Sequence, residues 1–470
     1  MSIVGKLIGA IKNMFKEAAK SKFGVEPVIS SAMTGAADEW MNIYRGMPSW
    51  AHDEIKTINM AKTICSETAR LVCLDIGINI SGSGARAKYL QEQIDKTLMP
   101  RLRAFVEYGC AGGTVIFKPN RHGIDIVTPD RFMVTEYDSN KKITAGIFQD
   151  TYTEGKDYLT KLEYQHFVEK QYAIETKTFS SRSESSIGSQ IPIERTIWAG
   201  IDPEVYIRPK NAGGAINNPL YGVFTMPEAN NIDLDSPLGM AIFANAIEEL
   251  ADLDVAYSRN TEEIKDSNTI ELIDEALLHK EGKRGKLRTL PSHVHNVFGN
   301  GVDSFYQQID RPLKTEQRIA GINNLLSFIG YKCGFSEGYF VLDRKTGLVT
   351  ATQVEADDRR TIQLIKDIRD NLKIAIEDTV YAMDRLADLY KETPAGTYKI
   401  DFDFGDITYN EDEDRNRWYQ LMMQGLVPKW YYLMKYEGLG EDEAKALVDE
   451  ADQATASRTA LFAEAQNAGA

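Results

Sequence analysis

The residues whose spacing could support chemistry are three aspartates late in the chain. Asp401, Asp403 and Asp406 lie along a predicted strand at a spacing that could line up their carboxylates. Aligned carboxylates are suitable ligands for a divalent ion. An exposed edge strand would explain the same pattern. A metal site is therefore one interpretation, and a solvated strand face is favoured over it.

Other patterns that could support chemistry are incomplete. Gly82-Ser83-Gly84 lacks the third glycine and the preceding strand of a dinucleotide site, which predicts a turn. His293 and His295 have no HExxH context and no nearby cysteine, so a strand end is favoured over a metal pair. The chain has no GxxxxGK[ST] motif and no defensible Ser/His/Asp or Cys/His constellation. We therefore expect no enzyme, no cofactor and no bound metal.

The composition indicates a soluble, folded protein with two or three domains. The 470 residues include 54 Lys and Arg against 69 Asp and Glu, a formal net charge of −15. That charge argues against a nucleic-acid binder with a basic face, but not against DNA that only passes by. No apolar run reaches the ~18 residues of a membrane span. The cysteines form no CxxC pair, which predicts reduced core residues of a cytosolic protein; they are Cys65, Cys73, Cys110 and Cys333.

The N-terminus predicts an amphipathic basic helix. Apolar residues from Ile3 to Phe15 share one helical face, and Lys6, Lys12 and Lys16 lie off that face. The segment lacks the uninterrupted apolar core and cleavage site of a signal peptide. Attachment to a membrane surface is one interpretation. Docking on the protein's own body or on a partner is favoured over it.

The elements that would position these residues predict an α+β fold. Residues 51–110 have helical periodicity, with Pro100 as a break between two later helices. From Gly113 to Met226 the pattern predicts short strands in an antiparallel meander, with residues 180–186 as an exposed loop. The strand candidates are 115–117, 124–127, 132–134, 143–148, 158–168, 172–178 and 221–224.

Long helices are predicted in the second half of the chain. Ser236-Pro237 has the form of a helix start and predicts a helix to about Lys265, followed by a compact insert. Residues 311–391 predict two long helices joined by a short hinge. The second helix would contain about 40 residues and be on the order of 60 Å long. One of its sides would be a packed apolar seam and the other would be acidic and solvent-exposed. A strand at 397–404 and short helices over 410–470 follow.

Five segments, in this order, resemble portal proteins of tailed bacteriophages, in the branch of the SPP1-type and A118-type portals. Together they cover most of residues 40–450, and their specificity lies in the shared order more than in any single segment. The segments are WMNIYRG at 40–46 with MAKTICSETARL at 60–71, SPLGMA at 236–241, GFS at 334–336 with TATQV at 350–354, DFDFGD at 401–406, and MMQGLVPK at 422–429 with GEDEA at 440–444.

The resemblance implies the phage portal fold, an α+β fold with long stem and wing helices, an antiparallel β-rich wing, a small α/β clip and a helical C-terminal crown. Carried over to this sequence, the regions are the wing at 1–235, the first stem helix at 236–265, the clip at 266–312, the second stem helix at 313–332, the tunnel loop at 333–352, the long wing helix and strand at 353–404, and the crown at 405–470.

The implied function is a dodecameric ring at the unique capsid vertex, through which double-stranded DNA is packaged and ejected. The implied partners are the terminase large subunit, a head-completion or adaptor protein, and the major capsid and scaffolding proteins, with no membrane. Such a ring is assembled in the host cytoplasm and becomes part of the virion. An acidic chain suits this function, because a ring that neutralised the DNA phosphates would bind each passing base pair and would have to release it again.

Two basic groups are the candidate site residues within this scheme. The clip run is a predicted docking surface for partner proteins, with a solvated loop as the alternative; its residues are Lys280, Lys283, Arg284, Lys286 and Arg288. In the tunnel loop, Arg344 and Lys345 would repeat around a ring as a cationic collar for passing phosphates. A solvated turn is the alternative there. Three glycines permit a hinge in this loop: Gly334, Gly338 and Gly347.

Two other functions compete with the portal interpretation. One is a metal-dependent DNA-processing enzyme that uses Asp401, Asp403 and Asp406, and the other is a membrane-surface scaffold that uses the N-terminal helix. A large closed ring would favour the portal interpretation. Metal-dependent cutting of DNA would favour the enzyme, and liposome binding through the N-terminus would favour the scaffold.

Overall fold

The chain divides into two compact units, Met1–Phe404 and Gly405–Ala470. The structure is a computed structural model that describes residues 15, 17–82, 84–121, 123–184, 186–209, 216–266, 270–274, 294–297, 306–309, 314–342, 351–405, 411–437 and 439–451. Within these residues the fold is mixed α+β, and its sheets are antiparallel except for one parallel pair of strands. The predicted α+β class is confirmed at this level.

The first unit contains most of the regular structure. Its helices are α1 (Ser31–Tyr44), α2 (Met60–Val72), α3 (Ala85–Gln93), α4 (Leu102–Gly112), α5 (Ile247–Asp266), α6 (Thr315–Lys332) and α7 (Ala351–Leu389). Its strands are β1 (Ile76–Ser81), β2 (Thr114–Asn120), β3 (Gly123–Val127), β4 (Phe132–Tyr137), β5 (Ile143–Glu154), β6 (Asp157–Val168), β7 (Gln171–Ser181), β8 (Ser189–Ile191), β9 (Glu204–Ile207), β10 (Gly222–Thr225), β11 (Ile270–Asp274), β12 (Val294–Val297), β13 (Tyr306–Ile309) and β14 (Lys399–Phe404).

The largest sheet is the predicted antiparallel meander. Strands β4 to β8 are neighbours in sequence order, and β9 pairs with β7. One face of this sheet is apolar, because alternate residues such as Ala145 and Ile147 point the same way. Phe15, Ala18 and Ala19 pack on that face. This end of the predicted N-terminal helix therefore docks on the protein's own body, and residues 3–14 lie outside the described part of the chain.

Three smaller sheets connect distant parts of the chain. Strand β2 pairs with β3 and β10, and β1 pairs with β14. Strand β11 pairs with β13 in antiparallel and with β12 in parallel orientation. Helix α7 packs against β2 and β10 so closely that a Cβ at Gly222 would collide with the carbonyl oxygen of Ala375. Glycine is therefore required at this crossing.

The helical prediction for residues 51–110 is only partly correct. Helix α2 begins at Met60, and residues 51–59 are irregular because α5 supplies their hydrogen-bond partners. The Asp254 carboxylate accepts hydrogen bonds from Trp50 Nε1 at 2.9 Å and from Ile58 N at 3.0 Å. Strand β1 was not predicted, whereas the break at Pro100 is observed as a 3-10 turn between α3 and α4.

The first long helix begins later than predicted. Ser236 Oγ accepts a hydrogen bond from Leu238 N at 3.2 Å in a local turn, and α5 starts only at Ile247. Residues 236–243 are all buried and irregular. Gly239 N donates to Thr114 Oγ1 at 2.8 Å, and a Cβ at Gly239 would lie 2.6 Å from the Gly113 carbonyl oxygen. The helix-start prediction was wrong because these backbone groups bond to β2 and α4 instead.

Helix α7 contains 39 residues, close to its predicted length. Its side away from the packed seam is not a continuous acidic surface, which corrects the prediction. Asp378 pairs with Lys142 at 3.0 Å, and Asp388 pairs with Arg86 at 2.6 Å. Four exposed charged positions in the middle of the helix alternate in sign, namely Lys366, Asp370, Lys373 and Glu377.

The described part of the second unit consists of short helices, as predicted. Its helices are α8 (Glu411–Met423) and α9 (Lys429–Glu437), and residues 441–451 are also helical. Pro428 immediately precedes α9. Aromatic rings join the helices, with centroids 5.4 Å apart for Trp418 and Tyr431 and 6.0 Å apart for Tyr419 and Tyr432.

Candidate assembly surface

The basic residues predicted as sites lie outside the described part of the chain. They are Lys280, Lys283, Arg284, Lys286 and Arg288 of the clip run, and Arg344 and Lys345 of the tunnel loop. The structure therefore does not place them relative to one another. It does describe the helices next to them, which are α5 and α6 on either side of the insert and α6 and α7 on either side of the tunnel loop.

Helices α5 and α6 form an antiparallel pair. Glu249 near the start of α5 pairs with Lys332 at the end of α6, and Glu263 near the end of α5 pairs with Arg318 near the start of α6. Ion pairs at both ends set the register of the two helices. The apolar seam of α6 in this pair consists of Ile322, Leu326 and Ile329.

Two large aromatic side chains of α6 remain exposed. Phe328 is 60% exposed and Tyr331 is 54% exposed, and their three-residue spacing puts them on one face of the helix. We call these two residues the aromatic patch. Adjacent exposed aromatic side chains on a helix are typical of surfaces that bind another protein. The patch is therefore a candidate contact surface.

An arginine of α7 lies beside the aromatic patch. Arg360 Nη2 donates a hydrogen bond to the carbonyl oxygen of Tyr331 at 2.9 Å. The guanidinium carbon also lies 3.9 Å from the centroid of the Tyr331 ring, within cation–π distance. Because Arg360 is itself exposed, it offers further donors to a molecule that contacts the patch.

The described half of the predicted tunnel loop is a packed turn. Gly334 and Gly338 have φ values of +84° and +74°, which glycine adopts without strain. Phe335 between them is fully buried, and its ring centroid lies 4.8 Å from that of Phe340. Ser336 N donates to Thr361 Oγ1 of α7 at 2.9 Å. The turn is thus bonded to α7 through Ser336, and Gly347 lies outside the described residues.

The turn is also bonded to α2. Tyr339 OH donates to Glu67 Oε1 at 2.5 Å. Burial, and then this bond to a carboxylate, raise the pKa of Tyr339 to about 12. The phenol is therefore protonated, and remains a donor, throughout the neutral pH range.

Helix α7 is fixed to the body by buried arginines. Arg369 Nε donates to the carbonyl oxygen of Val72 at 3.0 Å, and its Nη2 donates to those of Leu71 and Leu74 at 3.2 and 3.0 Å. Leu71 and Val72 are the last residues of α2 and Leu74 follows it, in the region where helix carbonyls lack the regular intrahelical acceptor bond. The tunnel loop is thus followed by a helix whose position on α2 is well defined.

The residues that the two competing functions would use are described only in part. Asp401 and Asp403 are exposed on β14, where Asp401 bonds to Lys399, and Asp406 lies outside the described residues. In the part of the chain that the structure describes, no three His, Cys, Asp or Glu residues are placed to bind a metal ion. None of the described helices is long and apolar enough to cross a membrane.

The aromatic patch was missed in the sequence, although a signal existed. The buried seam of α6 follows a three-four spacing, and residues 328 and 331 lie off it. Aromatic residues outside a seam indicate a second contact surface. The chain matches no known family model and none of the curated proteins with which it was compared.

Proposed function

We propose that this protein is the subunit of a phage portal, a ring at the capsid vertex through which double-stranded DNA is packaged and ejected. The observation that supports it best is the exposed aromatic patch on an antiparallel helix pair that brackets residues 267–313 and leads into a 39-residue helix. The order of the five sequence segments that resemble portal proteins supports the same function.

A ring explains why the aromatic patch is exposed in one chain. In a cyclic oligomer each subunit uses two different surfaces, so a patch on one copy is covered by another surface of the next copy. Phe328 and Tyr331 together offer a large apolar area for such a contact. On this proposal the neighbouring copy covers α6 and contacts Arg360.

The net charge of the chain is compatible with DNA as a passing cargo. At −15 per subunit, a ring repels phosphates over most of its surface, which limits tight non-specific binding. The local basic groups would then be the points of contact. We propose that Arg344 and Lys345 face the channel and that Lys280 to Arg288 bind the packaging motor and head-completion proteins.

The first experiment measures assembly. Native mass measurement and negative-stain microscopy of the purified protein should show a closed ring with a central channel. The double variant Phe328→Ser/Tyr331→Ser should shift the mass toward monomers. The matched control is Tyr152→Ser, which removes a tyrosine that is 46% exposed on β5. A mass no larger than a dimer at every protein and salt concentration would contradict the proposal.

The second experiment separates DNA passage from assembly. Arg344→Ala/Lys345→Ala should alter DNA packaging or retention while the ring forms normally. Reversal of Lys283, Arg284 and Lys286 to Glu should weaken binding of the motor or adaptor and leave the ring intact. Unchanged packaging and partner binding in rings of both variants would remove these residues from the proposed function.

A further inference from the structure

The second face of the six-stranded sheet contains a buried polar group. Along β5, β6 and β7 this group lies opposite the apolar face, beside apolar residues such as Phe148 and Ile174, and it consists of Asp150, Lys161, Glu163, Gln165 and Thr176. In most antiparallel sheets such a face is open to water. Here Lys161, Gln165 and Thr176 are all less than 10% exposed. Other parts of the first unit therefore form a roof over a polar surface.

A cavity of about 470 Å3 lies between this face and its roof. Its other walls come from β2, from residues 197–202 and from the end of α7, including Trp198 and Tyr390. Ile197 and Ile201 line it and are 50% and 38% exposed, which places a mouth beside them. The volume is within the range of sites for small organic ligands.

The floor of the cavity is a buried quartet of two lysines and two carboxylates. Lys118 Nζ lies 3.1 Å from Glu163 and 3.7 Å from Asp150, and Lys161 Nζ lies 2.7 Å from Asp150 and 3.7 Å from Glu163. Burial opposes ionisation of Glu163, but the two lysines outweigh it and lower its pKa. The two lysines and the two carboxylates thus form a compact set of ion pairs.

Two polar atoms beside the quartet have no partner among the described residues. The side chains of Gln165 and Thr176 line the cavity, and their Oε1 and Oγ1 atoms are buried and make no hydrogen bond there. The orientation of the Gln165 amide follows from its Nε2, which donates to Glu163 Oε1 at 2.6 Å. Buried polar atoms are rarely left without partners, so each unpaired atom requires an explanation. A bound molecule would supply one.

The chemistry of the floor selects against a charged ligand. An anion would approach Asp150 and Glu163 together with the lysines, and a cation would approach both lysines. A hydroxyl group instead can donate to Gln165 Oε1 and accept from an N–H of Lys118 or Lys161, since each ammonium has three donors. The indole of Trp198 offers an apolar wall to the carbon skeleton of such a ligand.

We propose that this cavity is a binding site for a small, uncharged, polyhydroxylated molecule of the sugar or polyol class. The ligand hydroxyls satisfy Gln165 and Thr176 and leave the ion-pair quartet intact. The site is separate from the aromatic patch and does not depend on the portal function.

The test uses three hexoses that differ in charge and the full-length protein. Binding of D-glucose, D-glucosamine and D-glucuronate is followed by saturation-transfer NMR with titration. Glucose should bind saturably, and its cationic and anionic analogues should bind more weakly. Gln165→Leu should weaken glucose binding about ten-fold or more, because a buried hydrogen bond is lost. Thr176→Val serves as a second variant if Gln165→Leu does not fold.

The matched control is Gln149→Leu. Gln149 is also buried in the six-stranded sheet, but it pairs with Leu162 on β6 and therefore belongs to the opposite, apolar face. This variant should bind glucose as the wild type does. The proposal is overturned if glucose does not bind saturably, if a charged analogue binds equally or more tightly, or if both leucine variants behave alike. High-resolution density showing only water in the cavity at saturating glucose would also overturn it.

Discussion

The end of helix α7 depends on one buried arginine, so Arg86→Met should destabilise the protein strongly. Arg86 of α3 is 1% exposed. Its Nη1 donates to Asp384 Oδ1 at 2.9 Å and its Nη2 to Asp388 Oδ1 at 2.6 Å. It also donates to three carbonyl oxygens, those of Asp384 at 2.7 Å, Thr393 at 2.8 Å and Pro394 at 3.2 Å. Methionine fills a similar volume but has none of these donors.

The expected loss in the free energy of unfolding is about 3–5 kcal/mol. Removing one partner of a buried ion pair costs that amount. Asp384 is 3% exposed, and its ion pair with Arg385 is long at 3.6 Å. The Asp388 side chain is 31% exposed, so water can solvate its carboxylate in the variant. This limits the loss in the free energy of unfolding.

The assay is urea unfolding monitored by circular dichroism and tryptophan fluorescence. The control is Arg121→Met, because the Arg121 side chain is 57% exposed and its ion pair with Glu392 should contribute no more than about 1 kcal/mol. The double variant Arg86→Met/Asp384→Asn also removes the charge of Asp384. Its loss in the free energy of unfolding should therefore be about 1–3 kcal/mol smaller than the sum of the two single losses. The reasoning is refuted if Arg86→Met costs no more than Arg121→Met, or if the cycle is additive.

Three further predictions follow from close packing, thiols and acid groups. Gly239→Ala should lower stability by about 1–3 kcal/mol in chemical unfolding, because its Cβ meets the Gly113 carbonyl; wild-type stability in this variant would contradict that. Burial raises the pKa of Cys73 to about 12, so it should react slowly with a disulfide reagent at pH 8. The fully buried thiols should react only after unfolding, and rapid labelling of the native protein would contradict this for Cys65, Cys110 and Cys333. The pKa values of Asp150 and Glu163 are lowered, so the folded state binds protons more weakly than the unfolded state. Stability should therefore begin to fall as the pH drops to the ordinary carboxyl pKa near about 4 and continue to fall until the pH has passed the lowered pKa values of the folded state. Unfolding curves without that loss would contradict the quartet.

Features that depend on local patterns were predicted well from the sequence. Alternation within short segments identified the strands of the meander, and three-four spacing identified α7 at nearly its full length. Both periodicities reflect the geometry of one element in contact with one apolar surface. The helix start at Ser236 failed because a cap signal of two residues is weaker than the long-range contacts of a buried segment.

The candidate surfaces were less predictable. The basic runs were noticed because they are continuous in sequence, whereas the aromatic patch is recognised only when the seam of α6 is known. The cavity could not be predicted at all. Lys118, Asp150 and Glu163 come from three strands, and each looks like an ordinary surface charge in its own segment.

The sequence therefore specified the type, order and length of most elements and the overall charge, since these depend on neighbours along the chain. The tertiary structure determined which charges are buried and which faces are covered. Arg86 and Asp384 are 298 positions apart, and the acidic side chains of α7 look solvated until such partners are in place. Burial and hydrogen-bond partners are set by contacts across the fold, and residue spacing contains no direct record of them.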